Sequence, residues 1–199
     1  MKKPIKLCIC CVCAMLAFAG CKGCKQACVE KKPIAQTEKQ DVNYLSYVDS
    51  AVKKLFGDTV SSVVFNPEQV TLLRLTPRPF ASDDTLKKDT LPSIHGSYIL
   101  KELAPSNEQI SPILLLLSDA DSYFLSDNTI TMPFSPYLAL CVFKGDKQVD
   151  IIFSIGGGRM KIYYKDFVSE EIKYIPERLV LKYFHRITQD PKLKVMIES

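Results

Sequence analysis

Three apolar runs late in the chain, YLALCVF (137–143), VDIIFSI (149–155) and RMKIYY (159–164), are separated by Lys144-Gly145-Asp146-Lys147 and by Gly156-Gly157-Gly158. Short runs rich in β-branched and aromatic residues, bounded by glycine, read as strands. Connections this short can join only antiparallel neighbours, because a parallel crossover needs a dozen or more residues. The segment therefore predicts a three-stranded antiparallel meander. VDIIFSI is almost continuously apolar, as a central strand should be.

Around this meander the apolar period alternates between helical and extended. Residues 41–56, DVNYLSYVDSAVKKLF, carry Leu45, Val48, Val52, Leu55 and Phe56 on one stripe, with Asp41 as a cap and Gly57 as a stop. TVSSVVF (59–65), VTLLRL (70–75) and SYILKEL (97–103) read as further strands, with a Pro- and charge-rich loop over 76–93. A short helix is expected over 107–118, capped by Ser106 with Gln109 or opened by Ser111-Pro112. Ser169-Glu170-Glu171 reads as an acidic helix start, Pro176 as the opening of a second helix, and Asp190-Pro191 as its end. The expected fold is α+β. It has an antiparallel sheet of five to six strands, an N-terminal helix, a short inserted helix and C-terminal helices packed on one face.

The N-terminus carries an address rather than chemistry. Residues 8–28 hold seven of the eight cysteines, yet residues 7–19, LCICCVCAMLAFA, contain no charge. Free cysteine behaves as a small hydrophobe, so this is an apolar run. It follows Lys2, Lys3 and Lys6, which is the layout of a secretory signal peptide. It is shorter than the ~20 residues that a membrane-spanning helix needs. Cys21-Lys-Gly-Cys24 could be half of a zinc site or a redox pair, but outside the apolar run 7–19 no second C-x-x-C completes it, and the two histidines, His95 and His185, are isolated.

Phe18-Ala19-Gly20-Cys21 resembles the lipobox of bacterial lipoproteins, with phenylalanine where leucine is usual. The resemblance implies cleavage between Gly20 and Cys21, diacylation of the Cys21 sulfur and acylation of the new amino group. It gives a signal peptide over 1–20, a Lys-rich flexible tether over 21–40 and a single α+β domain over 41–199. Losing Lys2, Lys3 and Lys6 lowers the formal charge from +4 to +1, so the basicity belongs to targeting and no nucleic-acid partner is expected. No acidic export signal follows Cys21, which favours a periplasm-facing orientation in the bacterial cell envelope, on the outer or inner membrane. The stretch from SYILKEL through Phe134-x-Pro136-x-x-Ala139-Leu140 to GDKQVDIIFS also resembles an uncharacterised group of small exported bacterial proteins of Bacteroidota type. That group implies no activity, and where its members often carry cysteines this chain has Ser154 and glycines.

Candidate chemistry is sparse. Gly156-Gly157-Gly158-Arg159 precedes a strand rather than a helix and reads as a hairpin turn, not a phosphate cradle. Asp119, Asp121 and Asp127 lack the glycine and acid of a calcium loop, whose positions here hold Phe124 and Ile130. Cys141 sits between Leu140 and Val142 and reads as a packed thiol, and His95 and His185 read as surface or capping residues. Phe134, Pro136 and Tyr137 form a rigid aromatic corner, which either seals the core or lines a binding patch with loop 76–93. The sequence thus predicts a lipid-anchored envelope protein acting in binding or assembly, with no enzyme activity, cofactor or metal. A protein partner in the envelope is expected beside the membrane itself. The alternatives are an immunity or inhibitor protein for an envelope toxin or hydrolase, and an envelope enzyme using Cys141 or a histidine.

Overall fold

The structure, a computed structural model, describes residues 43–77, 91–124, 133–155, 157–174 and 177–198. It is α+β, as expected. The strands are β1 (Gln69–Pro77), β2 (Ser93–Ile94), β3 (Ser97–Leu103), β4 (Pro136–Lys144), β5 (Lys147–Ser154), β6 (Arg159–Tyr164), β7 (Phe167–Val168) and β8 (Ile172–Lys173). They form one sheet in the order β2-β3-β1-β4-β5-β6-β7, with β8 also paired to β6. Every pairing is antiparallel.

The β4-β5-β6 meander is the one predicted, and β1 joins its open edge by pairing with β4. Gly145 takes φ 58° at the first position of the two-residue β4–β5 loop, the positive φ that a type II′ turn needs there. The eight strands among the described residues exceed the expected five to six. The additions are β2, β7 and β8, each two residues long, too short to leave an alternating pattern in the sequence.

The helices are α1 (Ser50–Phe56), α2 (Asp58–Val64), α3 (Asn107–Ser118), α4 (Glu177–Thr188) and α5 (Pro191–Glu198). Helix α1 is shorter than predicted. Its cap is Asp49, whose side chain accepts the Ala51 N–H at 2.7 Å, while Asp41 lies outside the described residues. Residues 59–65, expected as a strand, are helical. Gly57 at φ 76° closes α1 and opens α2, and Val60, Val63 and Val64 then fall at helical spacing on the buried side. Tertiary burial outweighs the β-propensity of three valines. Helix α3 carries the predicted capping box between Ser106 and Gln109. The acidic run 169–171 does not start a helix; it links β7 to β8 along the edge of β6, and Ser169 N–H donates to the Ile162 carbonyl at 2.9 Å. Pro191 does end the preceding helix, and it also opens α5, which was not expected.

One face of the sheet packs on the helices. Leu72, Leu138, Leu140, Val149, Ile151, Phe153, Met160 and Ile162 meet Val52, Phe56, Val63, Ile113, Leu114, Val180, Phe184 and Leu193 in the main core. Each fully buried side chain of this kind contributes ~1.5–3 kcal/mol. The opposite face holds a second, smaller cluster of Leu73, Leu75, Ala139, Cys141 and Ile152, with Ile94, Ile99, Phe134, Phe143 and Tyr163 packed against it. The sheet curls around this cluster. The tip of the β2–β3 hairpin thereby reaches side chains of β5 and β6.

Candidate functional site

On the face away from the helices, one register row crosses four strands with polar side chains. Thr71 on β1 faces Cys141 on β4, Cys141 faces Asp150 on β5, and Asp150 faces Tyr163 on β6. Thr71, Cys141 and Asp150 are buried. A buried carboxylate is tolerated only with hydrogen-bond partners, and Asp150 has them. Its Oδ2 meets His95 Nε2 at 2.8 Å, and its Oδ1 accepts from Gln148 Nε2 at 2.8 Å.

His95 comes from the two-residue turn between β2 and β3. His95 at φ 45° and Gly96 at φ 80° give the two consecutive positive angles of a type I′ turn. A histidine with φ > 0 is uncommon; here the ring is fastened on both sides. It stacks on Tyr163 with centroids 3.8 Å apart and planes 19° apart, and it bonds Asp150. Because a carboxylate only accepts, Nε2 carries the shared proton, and Nδ1 is left as the second polar atom of a ring that is 28 % exposed. The Thr71 hydroxyl has no hydrogen-bond partner among the described residues.

This row holds a thiol, a carboxylate and an imidazole, but not in the order of a thiol nucleophile. The carboxylate, not the imidazole, stands next to the sulfur. Burial pushes the Cys141 thiol up first, and the charge and hydrogen bond of Asp150 and the charge of Glu102 push it further. An activated cysteine needs the opposite shift. Cys141 is therefore a packed thiol, and it serves as a reporter for the hairpin tip above it. In peptide mapping of the native chain, Cys141 is expected to resist a thiol reagent until unfolding. His95→Ala, which removes a hydrogen bond to a charged group, should raise its native labelling rate roughly tenfold. An unchanged rate at unchanged global stability would show that His95 does not hold the hairpin down. Tyr163 is also pushed up, by burial first and then by the charge of Glu171.

The aromatic corner does not form one surface. Phe134 packs on the small cluster, under Lys161 at 4.7 Å, while Tyr137 packs in the main core on the other face. Pro136 begins β4 opposite Ser154, and the Ser135 N–H donates to Ser154 Oγ at 3.0 Å. The corner is thus fastened across the sheet edge, with its two rings on opposite faces. Arg159 of the glycine turn is buried and bonds Glu171 and the Pro133 carbonyl rather than facing a ligand. Asp119 caps the single-turn helix Ala120–Ser122 through the Asp121 N–H. Asp127, Gly20, Cys21, Cys24 and Cys28 lie outside the described residues.

Tyr137 leads to a second polar centre, one not legible in the local sequence pattern. Asp190 Oδ2 accepts from Arg74 Nε at 2.7 Å and from the Tyr137 hydroxyl at 2.8 Å, and Oδ1 accepts the Lys192 N–H at 2.9 Å. The Arg74 guanidinium lies 3.2 Å over the Tyr137 ring, a cation–π contact. Asp190 thus ties β1 and β4 to the start of α5. Burial pushes the Tyr137 phenol well up, and its bond to Asp190 adds to the effect.

Asp150 was missed in the sequence, although a signal for it is present there. It is the one acid inside the most apolar strand of the chain, and such a residue must find partners. No family model, curated protein or solved structure matches this chain.

Proposed function

We propose that this chain is a bacterial envelope lipoprotein, anchored through Cys21 after removal of residues 1–20, whose α+β domain acts as a binding or assembly module. The observation that carries this reading is the order of features in residues 1–21: three lysines, an uncharged 13-residue run, then Ala19-Gly20-Cys21. Among the described residues, no helix is long and apolar enough to cross a membrane. A lipid on Cys21 would supply membrane attachment independently of the folded domain. Cys141 is buried, and burial pushes its thiol up, which weighs against the version of the enzyme alternative that uses this cysteine.

One observation favours a second reading. The Asp150–His95 pair is the half of a general-base device in which a carboxylate orients an imidazole, so an envelope enzyme using His95 is the alternative. Metabolic labelling with a palmitate analogue tests the first reading. The wild type should incorporate label and Cys21→Ala should not; equal incorporation would remove the lipid anchor from the account.

A further inference from the structure

Helices α4 and α5 pack against each other around a turn in which Gln189 takes φ 53°. On the outer side of this pair lies an open cavity of about 230 Å³, lined by Lys182, His185, Arg186, Lys194, Ile197 and Glu198. Three features of this lining point the same way.

The first is uncompensated charge. Lys182 and Arg186 are four residues apart on one helix face, where like charges are mutually destabilising. No ion pair is formed by either among the described residues. The one acid in the lining, Glu198, is 4.0 Å from Lys194, and both side chains are about two-thirds exposed, so that pair is weak. The nearby Asp190 carboxylate cannot compensate, because Arg74, Tyr137 and the Lys192 N–H already occupy it.

The second is the orientation of His185. Its Nδ1 lies 3.0 Å from the Asp190 carbonyl. A carbonyl only accepts, so Nδ1 carries a proton, and this bond fixes the ring where it lines the cavity. The ring is held in place by the same turn that joins the helices. The third is size. The cavity falls below the ~300–1,000 Å³ of sites that enclose drug-sized molecules, and it suits one compact anionic group. Ile197, half-buried in the lining, gives an apolar wall beside the cations.

We infer that this cavity is a binding site for a phosphoryl group, held by Lys182, Arg186 and Lys194, with the His185 ring forming part of its wall. Arginine and lysine together are the usual means of holding such an anion. The group could arrive on a soluble phosphate ester or on a phospholipid headgroup, and the chemistry of recognition is the same. The site stands whether or not Cys21 carries a lipid.

The chain has only two histidines, so their imidazole NMR signals report the site directly. The full-length protein in nonionic detergent would be titrated with inorganic phosphate in one arm. In the other arm, phosphatidylglycerol would be added to the micelles, with phosphatidylcholine as the reference. A saturable shift of the His185 signals with His95 unmoved is expected in at least one arm. A response to inorganic phosphate assigns the site to soluble phosphates; a response to phosphatidylglycerol alone assigns it to headgroups. Lys182→Gln with Arg186→Gln should weaken the interaction roughly tenfold or more, while Lys53→Gln with Lys54→Gln on α1 should leave it unchanged. All four are exposed surface positions, so the fold is expected to survive both pairs. No shift in either arm, or a shift that the Lys182/Arg186 pair does not weaken, would overturn the proposal.

Discussion

Phe153→Ala is expected to lower the unfolding free energy by about 3–5 kcal/mol. Phe153 lies on β5, the centre of the meander, and is fully buried. Its ring meets Phe184 of α4 edge-on at 5.0 Å and Tyr174 at 5.8 Å. Such pairs add ~0.5–1.5 kcal/mol beyond area burial. Truncation would open a cavity between the sheet and α4 that neither backbone can close, since β5 is paired on both sides. A domain of this size has about 5–15 kcal/mol of stability in total, so one substitution would remove a fifth or more of it. Phe167→Ala offers the contrast. Phe167 is 51 % exposed at the sheet edge, and its loss should change stability by no more than about 0.5 kcal/mol. Urea unfolding of both variants checks the pair; similar midpoints would mean that the core is not centred on Phe153.

Asp190→Ala is expected to cost about 2–4 kcal/mol, more than its place in a turn between two helices suggests. The substitution strips Arg74 of its partner, frees the Tyr137 hydroxyl and uncaps α5 at once. The effect should depend on pH with a defined sign. Burial tends to raise the Asp190 carboxyl, but the bonds from Tyr137, Arg74 and the Lys192 N–H, together with the charge of Arg74, outweigh it and hold the group below its ordinary value of 3.8. A carboxyl depressed in the folded state stabilises fully above its unfolded pKa and loses that contribution as pH falls through the folded one. The wild type should therefore lead an Asp190→Asn variant by a constant margin at neutral pH, and the margin should shrink only below about pH 4. A margin that is flat down to pH 2 would show that the carboxylate charge does not contribute.

The parts of the fold legible in the sequence are those whose pattern is local. The meander announced itself because each strand is six to nine residues long and the glycine turns leave one connection. The capping box of α3 was legible because Ser106 and Gln109 act within one turn. TVSSVVF misled because seven residues fit both periods. Packing against α1 and against strands β4 and β5 selects the helical one, and those contacts lie outside the segment. The strands β2, β7 and β8 are pinned by partners rather than by their own two residues.

The sites divide in the same way. Asp150 stands out as a lone acid in an apolar strand, but its partner His95 is 55 positions away and arrives only because the sheet curls. Asp190 reads locally as a helix terminator, and it is one. Its bond to Arg74, 116 positions earlier, depends on the whole sheet lying between them. Phe134 and Tyr137 looked like one patch because they are close in sequence. The bulge between Pro136 and Leu138 shifts the register there, and the two rings fall on opposite faces.

The central claim, a lipid anchor on Cys21, is tested most directly by the intact mass of the protein recovered from membranes of a lipoprotein-processing bacterium. The account predicts a chain that lacks residues 1–20 and carries a diacylglyceryl thioether and an amide-linked acyl chain on Cys21. A chain of all 199 residues, or one cut elsewhere with an unmodified Cys21, would contradict it.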